Sequence, residues 1–202
     1  MVRFCIAAVM VLLPCAAIAQ EKFLGRTAEQ WSQALTTTTG QQRVHAAWAL
    51  AQMAGRASGD ASDHVQFAEL VKLISDGDPS VRYWGALGLA AFAEHLPQGD
   101  GGRAGAIGAL APLLDDKSPA PRIAAASALG QLGQSDRALR VLVAAMNDPQ
   151  EATRIQAVAA LEKLGPAARP AEATLRAARA DSSEYVKRIS TRALEKLTAA
   201  GK

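Results

Sequence analysis

Three observations predict an all-α fold: a solenoid, or superhelix, of about five helix-turn-helix repeats. One residue pattern recurs at spacings of 32 to 40 residues along the 202-residue chain. Half of the chain is apolar, mostly Ala and Leu, while aromatic residues make up only 4%, a composition that favours closely packed helices. No stretch alternates apolar and polar residues over the length of a strand, so we expect no sheet.

The recurring pattern is clearest in DGDPSVRYWGALGL, which begins at Asp76. Four copies share an aspartate six residues before a basic residue: Asp76 and Arg82, Asp116 and Arg122, Asp148 and Arg154, Asp181 and Lys187. A fifth copy, around Arg43, has Thr37 in place of the aspartate. Apolar or small residues recur three, four, seven and ten places after the basic residue, which puts one apolar stripe along a helix.

Each striped helix follows a shorter amphipathic stretch and a turn, so the unit is two antiparallel helices. Thr27 with Gln30 forms a capping box before the first helix, and the pairs Asp78-Pro79 and Asp148-Pro149 suit helix starts. We expect polar surface loops at 55–63 and 97–103. The predicted domain spans 20–202, with repeats at approximately 24–55, 64–95, 103–133, 136–165 and 168–198.

Residues 1–19 have the composition of a bacterial signal peptide. Arg3 precedes an apolar run at 4–13, and residues 17–19, Ala-Ile-Ala, fit a cleavage site before Gln20. A buried N-terminal helix is the alternative; lipidation at Cys15 is disfavoured by the preceding Pro14. We therefore expect a periplasmic or secreted protein.

Cleavage would remove both cysteines, Cys5 and Cys15, leaving no disulfide or thiolate metal site. The loss of Arg3 leaves 21 basic against 19 acidic residues, a net charge of +2. This balance predicts neither nucleic-acid binding nor, after cleavage, stable membrane insertion.

The repeats resemble HEAT repeats, which are armadillo-like, and the shorter later ones are similar to those of phycobilisome lyases. This resemblance implies a structural ladder in which turn aspartates pair with second-helix arginines, often across neighbouring repeats. It would comprise the four Asp-basic pairs given above and be absent from the first repeat, where Thr37 replaces the aspartate. The segments Leu24–Trp31 and Asp78–Leu89 are also similar to sulfatase-associated segments of bacteria, although the chain lacks the C-x-P-S-R motif of sulfatases.

The second helices should also present a partner-binding strip on the concave side, at positions one and five after the basic residue. Its apolar members are Val44, Trp48, Tyr83, Leu87, Ile123 and Ile155. Such a strip is typical of a binding surface, although tight curvature could instead bury it between repeats. Trp31 and Trp84 are expected in the core, and the basic residues Lys187, Arg188, Arg192 and Lys196 on a solvated terminal helix.

Because no catalytic set, phosphate loop or metal constellation can be assembled, we expect neither enzymatic activity nor a cofactor or metal. His45, His64 and His95 lie far apart, which favours structural or exposed histidines. The leading hypothesis is a monomeric scaffold that binds a protein or peptide. The alternatives are a HEAT-like enzyme or accessory subunit, either lyase-like, glycosylase-like or sulfatase-associated, and a self-stacking assembly element.

Overall fold

A computed structural model describes residues 22–54, 61–96, 99 and 101–199. The predicted signal peptide lies outside these residues, as do 55–60 of the first predicted loop and 97, 98 and 100 of the second. The described ends of both loops, 61–63 and 101–103, are helical, so the loop prediction was wrong there. The described part contains five helix pairs in series. Their helices are α1 (Ala28–Thr37), α2 (Gly40–Ala54), α3 (Ala61–Leu73), α4 (Pro79–Glu94), α5 (Gly101–Leu110), α6 (Pro119–Gln131), α7 (Ser135–Ala145), α8 (Glu151–Leu164), α9 (Glu172–Ala177) and α10 (Glu184–Ala199).

Three 3-10 segments extend the first helices of the later pairs, at Ala111–Asp115, Gly165–Ala171 and Ala178–Ala180. The second helices α2, α4, α6, α8 and α10 pack against one another in sequence order, and each first helix packs against its own second helix. This arrangement confirms the predicted all-α solenoid.

The prediction of no sheet was wrong at the N-terminal end. Strands β1 (Lys22–Phe23) and β2 (Arg26–Thr27) form an antiparallel hairpin around Leu24 and Gly25, which both have positive φ. Two-residue strands are too short to display the alternation by which strands are recognised in a sequence. At the junction with α1, Thr27 and Gln30 make the predicted capping box, with reciprocal bonds of 3.0 and 3.3 Å.

The core follows the predicted stripe. The residue seven places after the basic position is almost fully buried in four successive second helices: Leu50, Leu89, Leu129 and Leu161. The residues three and four places after the basic position are mostly small, which lets neighbouring helices approach closely. At Gly85, for example, an added Cβ would lie 2.7 Å from the Leu73 Cβ and 2.9 Å from the Ile74 nitrogen.

None of the helices in the described part of the chain combines the length and the apolarity needed to cross a bilayer.

Candidate partner-binding groove

The turns before the second helices are built around aspartate. The carboxylates of Asp76, Asp116, Asp148 and Asp181 each accept the backbone N–H two residues ahead, at 2.7 to 2.8 Å. These bonds give acceptors to amides that have none within the helix that follows. They also fix the direction in which the chain enters that helix. The prediction that Asp148 caps the next helix was wrong, because α8 begins at Glu151 and its N-cap is Gln150, two residues later.

The arginine of the second helix folds back onto the same turn. The Nη1 atoms of Arg82, Arg122 and Arg154 donate to the backbone oxygen of the aspartate six residues earlier, at 2.8, 2.5 and 2.9 Å. Arg43, which has no such aspartate, donates through Nε to the Leu35 oxygen at 2.9 Å. The guanidinium therefore lies on the turn in three repeats and on the last helical turn of α1 in the first.

Three of these arginines also reach the carboxylate of the following repeat. Arg82 holds Asp116 through two bonds of 2.7 and 2.8 Å, and Arg154 holds Asp181 through two of 2.9 and 3.0 Å. Arg43 makes the same two-bond pair with Asp76. We call each such contact a rung. Because rungs run forward, from an arginine to the next aspartate, the first repeat needs no aspartate, and the expectation that it lacks a ladder was wrong.

The ladder departs from the predicted series at two places. Among the described residues no carboxylate pairs with Arg122, and no guanidinium pairs with Asp148, although the register of the repeats would join them. We call this pair the open rung. Lys187 bonds instead to Glu184, one turn earlier on the same helix, at 2.7 Å.

The rungs lower the pKa values of the aspartates that they hold. The hydrogen bond from Arg82 holds the pKa of Asp116 below its usual value near 3.8, against the opposing effect of desolvation. Asp181 has a lowered pKa for the same reason, its hydrogen bond being with Arg154. Burial raises the pKa of Asp76, but hydrogen bonds from Arg43 and the Asp78 amide outweigh it and leave the pKa lowered. The rungs therefore favour ionised carboxylates.

The predicted binding strip divides in the structure. Val44, Trp48, Tyr83, Leu87 and Ile155 are half-buried, whereas Ile123 is only 3% exposed. Including Ile123 in the strip was therefore wrong. Alanines fill much of α6, which packs against both α4 and α8, and Ile123 belongs to the buried core.

A shallow open groove of about 370 Å³ crosses the first turns of the second helices. Two strip residues line it, together with Trp84, Gln156 and the turn residues at the starts of α4 and α6. The full lining is Val44, Pro79, Ser80, Tyr83, Trp84, Ser118, Pro119, Ala120 and Gln156. The groove therefore touches four successive second helices or their turns.

Trp84 is half-buried and lines this groove, so the expectation that it belongs to the core was wrong. Its ring meets that of Tyr83 edge to face, with centroids 5.1 Å apart. Burial raises the pKa of the Tyr83 phenol, which favours its neutral form. The sequence signal that was missed is the position two places after the basic residue, which Trp84 and Gln156 share.

A model of HEAT repeats matches residues 68–162 and 107–195, which together cover more than half of the chain. The chain belongs to the HEAT-repeat family.

Solved structures of similar fold include both natural and designed repeat proteins. The HEAT-repeat chain resembles a phycocyanin lyase from Nostoc sp. PCC7120, solved as a complex of CpcE and CpcF, with a TM-score of 0.60, 19% identity and coverage of 89% of this chain and 68% of that one. It resembles an engineered protein with a TM-score of 0.57 and 23% identity, covering 85% of this chain and 79% of that one.

A designed armadillo repeat protein in complex with the peptide (KR)4 has a TM-score of 0.54 and 23% identity; 83% of this chain and 80% of that one are covered. No curated protein matches the chain. At these identities the likenesses establish the fold alone.

An aromatic cluster closes the first HEAT repeat. Phe23 of the hairpin packs edge-on against Trp48, with ring centroids 5.3 Å apart. His45 stacks on Trp48 at 5.0 Å and meets Trp31 edge to face at 5.4 Å. Trp31 is buried as expected, and its Nε1 donates to the Phe23 oxygen at 3.0 Å. Trp48, predicted as a partner anchor, therefore lies against the protein's own hairpin.

The basic end of the HEAT array is paired internally. Arg192 donates to both carboxylate oxygens of Glu162 at 2.6 Å, and Lys196 donates to one of them at 2.8 Å. These contacts fasten α10 to α8. Among the described residues, no three His, Cys, Asp or Glu side chains come together where a metal ion could bind.

Proposed function

We propose that this HEAT-repeat protein is an exported, non-enzymatic scaffold that binds an extended segment of a partner protein in the groove. The observation that carries the proposal is the groove's lining. Tyr83, Trp84 and Val44 offer apolar and aromatic surface, Ser80, Ser118 and Gln156 offer hydrogen bonds, and no carboxylate, imidazole, amine or thiol is among the lining residues. Such a lining suits recognition better than acid–base or nucleophilic chemistry.

The groove's course favours an extended chain over a globular surface. Packed helices lie about 8–10 Å apart, so four successive second helices span roughly 25–30 Å. An extended peptide advances about 3.3 Å per residue, so eight or nine residues, roughly, would follow the groove. The designed armadillo protein solved with (KR)4 gives an example of a peptide complex in a similar fold.

The test begins with a phage-displayed library of random ten-residue peptides, selected on residues 20–202. Fluorescence anisotropy of the selected synthetic peptides then gives Kd for the wild type, Tyr83→Ala and Trp84→Ala. Since aromatic anchors in interfaces contribute about 2 kcal/mol or more, we expect each variant to weaken binding roughly thirtyfold.

Tyr185→Ala is the matched control. Tyr185 is 58% exposed on α10, away from the groove, so its removal should leave Kd unchanged. Failure to select any peptide, or equal losses in the groove and control variants, would refute the proposed site. Circular dichroism of each variant separates lost binding from lost folding.

Export rests on the sequence of residues 1–19 alone. N-terminal sequencing of the protein recovered from the envelope fraction of a bacterial host should read Gln20-Glu21-Lys22. An intact Met1, or recovery only from the cytoplasm, would contradict it. Light scattering after size-exclusion chromatography should give the mass of one chain, whereas a self-stacking element would elute as larger species.

A further inference from the structure

The open rung lies beside the groove. Arg122 donates to the Asp116 oxygen at 2.5 Å, and the carboxylate of that same Asp116 accepts the Ser118 amide at 2.8 Å. Ser118 and Pro119, which follow in the same turn, form part of the groove wall. The guanidinium of Arg122 is therefore held on the turn that borders the groove.

The two neighbouring rungs show what this guanidinium lacks. The Nε and Nη2 atoms of Arg82 and Arg154 each face a carboxylate, and the pairs are largely buried, with side-chain exposures of 16% and 8% in one and 12% each in the other. In Arg122 only Nη1 has a partner among the described residues. Asp116 cannot serve Arg122 in the same way, because Arg82 already occupies both of its oxygens.

We infer that Arg122 selects the partner by binding a carboxylate of the extended segment, so the peptide in the groove is acidic. This inference rests on the proposed function and specifies the chemistry of its ligand. An Asp or Glu side chain would receive the Nε and Nη2 hydrogens as Asp116 does from Arg82, with the planar fork of the guanidinium fixing the approach. Apolar residues of the same peptide would lie against Tyr83 and Trp84.

Charge complementarity favours this occupant over a basic one. In each of the other three arginine-bearing repeats, the guanidinium is already neutralised by the next aspartate. Among the described residues, Arg122 is the ladder arginine that makes no ion pair with a carboxylate, and the turn on which it lies borders the groove. Asp148 stands in the next turn, where its Oδ1 accepts the Gln150 amide at 2.8 Å, so it must be tested as a competitor.

The experiment uses the same displayed library on residues 20–202, followed by synthetic peptides in pairs. One member of each pair carries the selected Asp or Glu, and the other carries Asn or Gln at that position. Because a hydrogen-bonded charge pair contributes about 1.5–3 kcal/mol, the amide peptide should bind the wild type at least tenfold more weakly, roughly. With Arg122→Gln, the two peptides should bind about equally.

Four further variants sharpen the result. Arg122→Glu should prefer a peptide with Lys at the selected position, and Arg122→Lys should keep part of the acid preference, because it retains the charge and loses the fork. Arg154→Gln, which breaks a filled rung, should keep the whole preference. Asp148→Asn should change Kd by less than about threefold, since its carboxylate is not the partner of Arg122.

Several outcomes would overturn the inference. Equal affinity of the acidic and amide peptides for the wild type would refute it and, if Tyr83 and Trp84 were still required, would leave the proposed function standing. A gain of about tenfold or more in Asp148→Asn would show that Asp148 already occupies Arg122. If the library yielded no groove-dependent peptide, the inference and the proposed function would fail together.

Discussion

Removing one filled rung should destabilise the solenoid more than removing the arginine of the open rung. Arg82→Gln is the perturbation, and Arg122→Gln is its matched control. Both arginines lie four residues into the second helix of a central repeat, and both donate to the backbone of their own turn. They differ in the carboxylate, which only Arg82 holds, and in a longer bond of 3.2 Å from Arg82 to the Gly77 oxygen.

The size of the destabilisation depends on how deeply the ion pair is buried. Exposed ion pairs contribute about 0.2–1 kcal/mol, whereas removing one partner of a fully buried pair costs about 3–5 kcal/mol. With 16% of Arg82 and 8% of Asp116 exposed, this rung lies between these limits, nearer the buried one. We expect Arg82→Gln to cost about 2–3 kcal/mol. Arg122→Gln loses a single bond to a carbonyl and should cost about 1 kcal/mol.

Thermal melting followed by circular dichroism at about pH 7 provides the assay, with urea titration as a second measure of the free energy of unfolding. In a chain of this size each kcal/mol lowers Tm by about 2–4 °C, so Arg82→Gln should melt about 5–10 °C below the wild type. Arg122→Gln should melt about 2–4 °C below it. Equal losses, or a larger loss in Arg122→Gln, would refute the description of the Arg122–Asp148 rung as open.

Three further predictions concern pH, a glycine contact and the last helix. Asp116 has a folded pKa below its usual 3.8, so the rung's contribution is complete above that pH and disappears as the pH falls through the folded value. The Tm difference between the wild type and Arg82→Gln should therefore be constant from about pH 5 to 7 and shrink below about pH 4; a difference that grew in acid would contradict this sign. Gly85→Ala should lose about 1–3 kcal/mol, because its Cβ meets Leu73 and Ile74, whereas Gly108→Ala, with nothing within 4 Å, should gain about 0.5–1 kcal/mol from helix propensity. Stabilisation by both glycine substitutions would disprove the close contact of α3 with α4. Glu162→Gln should speed proteolysis near α10, because it releases Arg192 and Lys196. Since those two cations are about half exposed, we expect the free energy of unfolding to fall by only about 0.5–1 kcal/mol. Unchanged cleavage would contradict the role of Glu162 in holding α10 against α8.

The fold could be predicted from the sequence because the same residue pattern recurs in each repeat. Leu50, Leu89, Leu129 and Leu161 occupy one register position, and all four are buried. The hairpin at 22–27 could not be predicted, since it occurs once and its strands are only two residues long. Repetition carries information that a single short element does not.

The site was less predictable, because it depends on contacts between repeats. Single-helix periodicity placed Tyr83 and Val44 on the face that lines the groove, but it assigned Trp84 to the core and Ile123 to the surface. Whether such residues are covered depends on how closely the neighbouring helices approach. In α6, the small buried alanines permit a close approach. The open rung is a similar case, since its aspartate and arginine are both present in the sequence and only their placement separates them.

Hydrogen–deuterium exchange with and without a selected peptide tests the binding groove most directly. Amides in the first turn of a helix exchange more readily than those in its interior, unless a ligand covers them. We expect the peptide to protect the amides of 80–84 and those of Ser118, Ala120 and Arg122 most strongly, with smaller effects around Val44 and Gln156. Protection confined to the first helices, or to α10, would contradict a partner site in this groove.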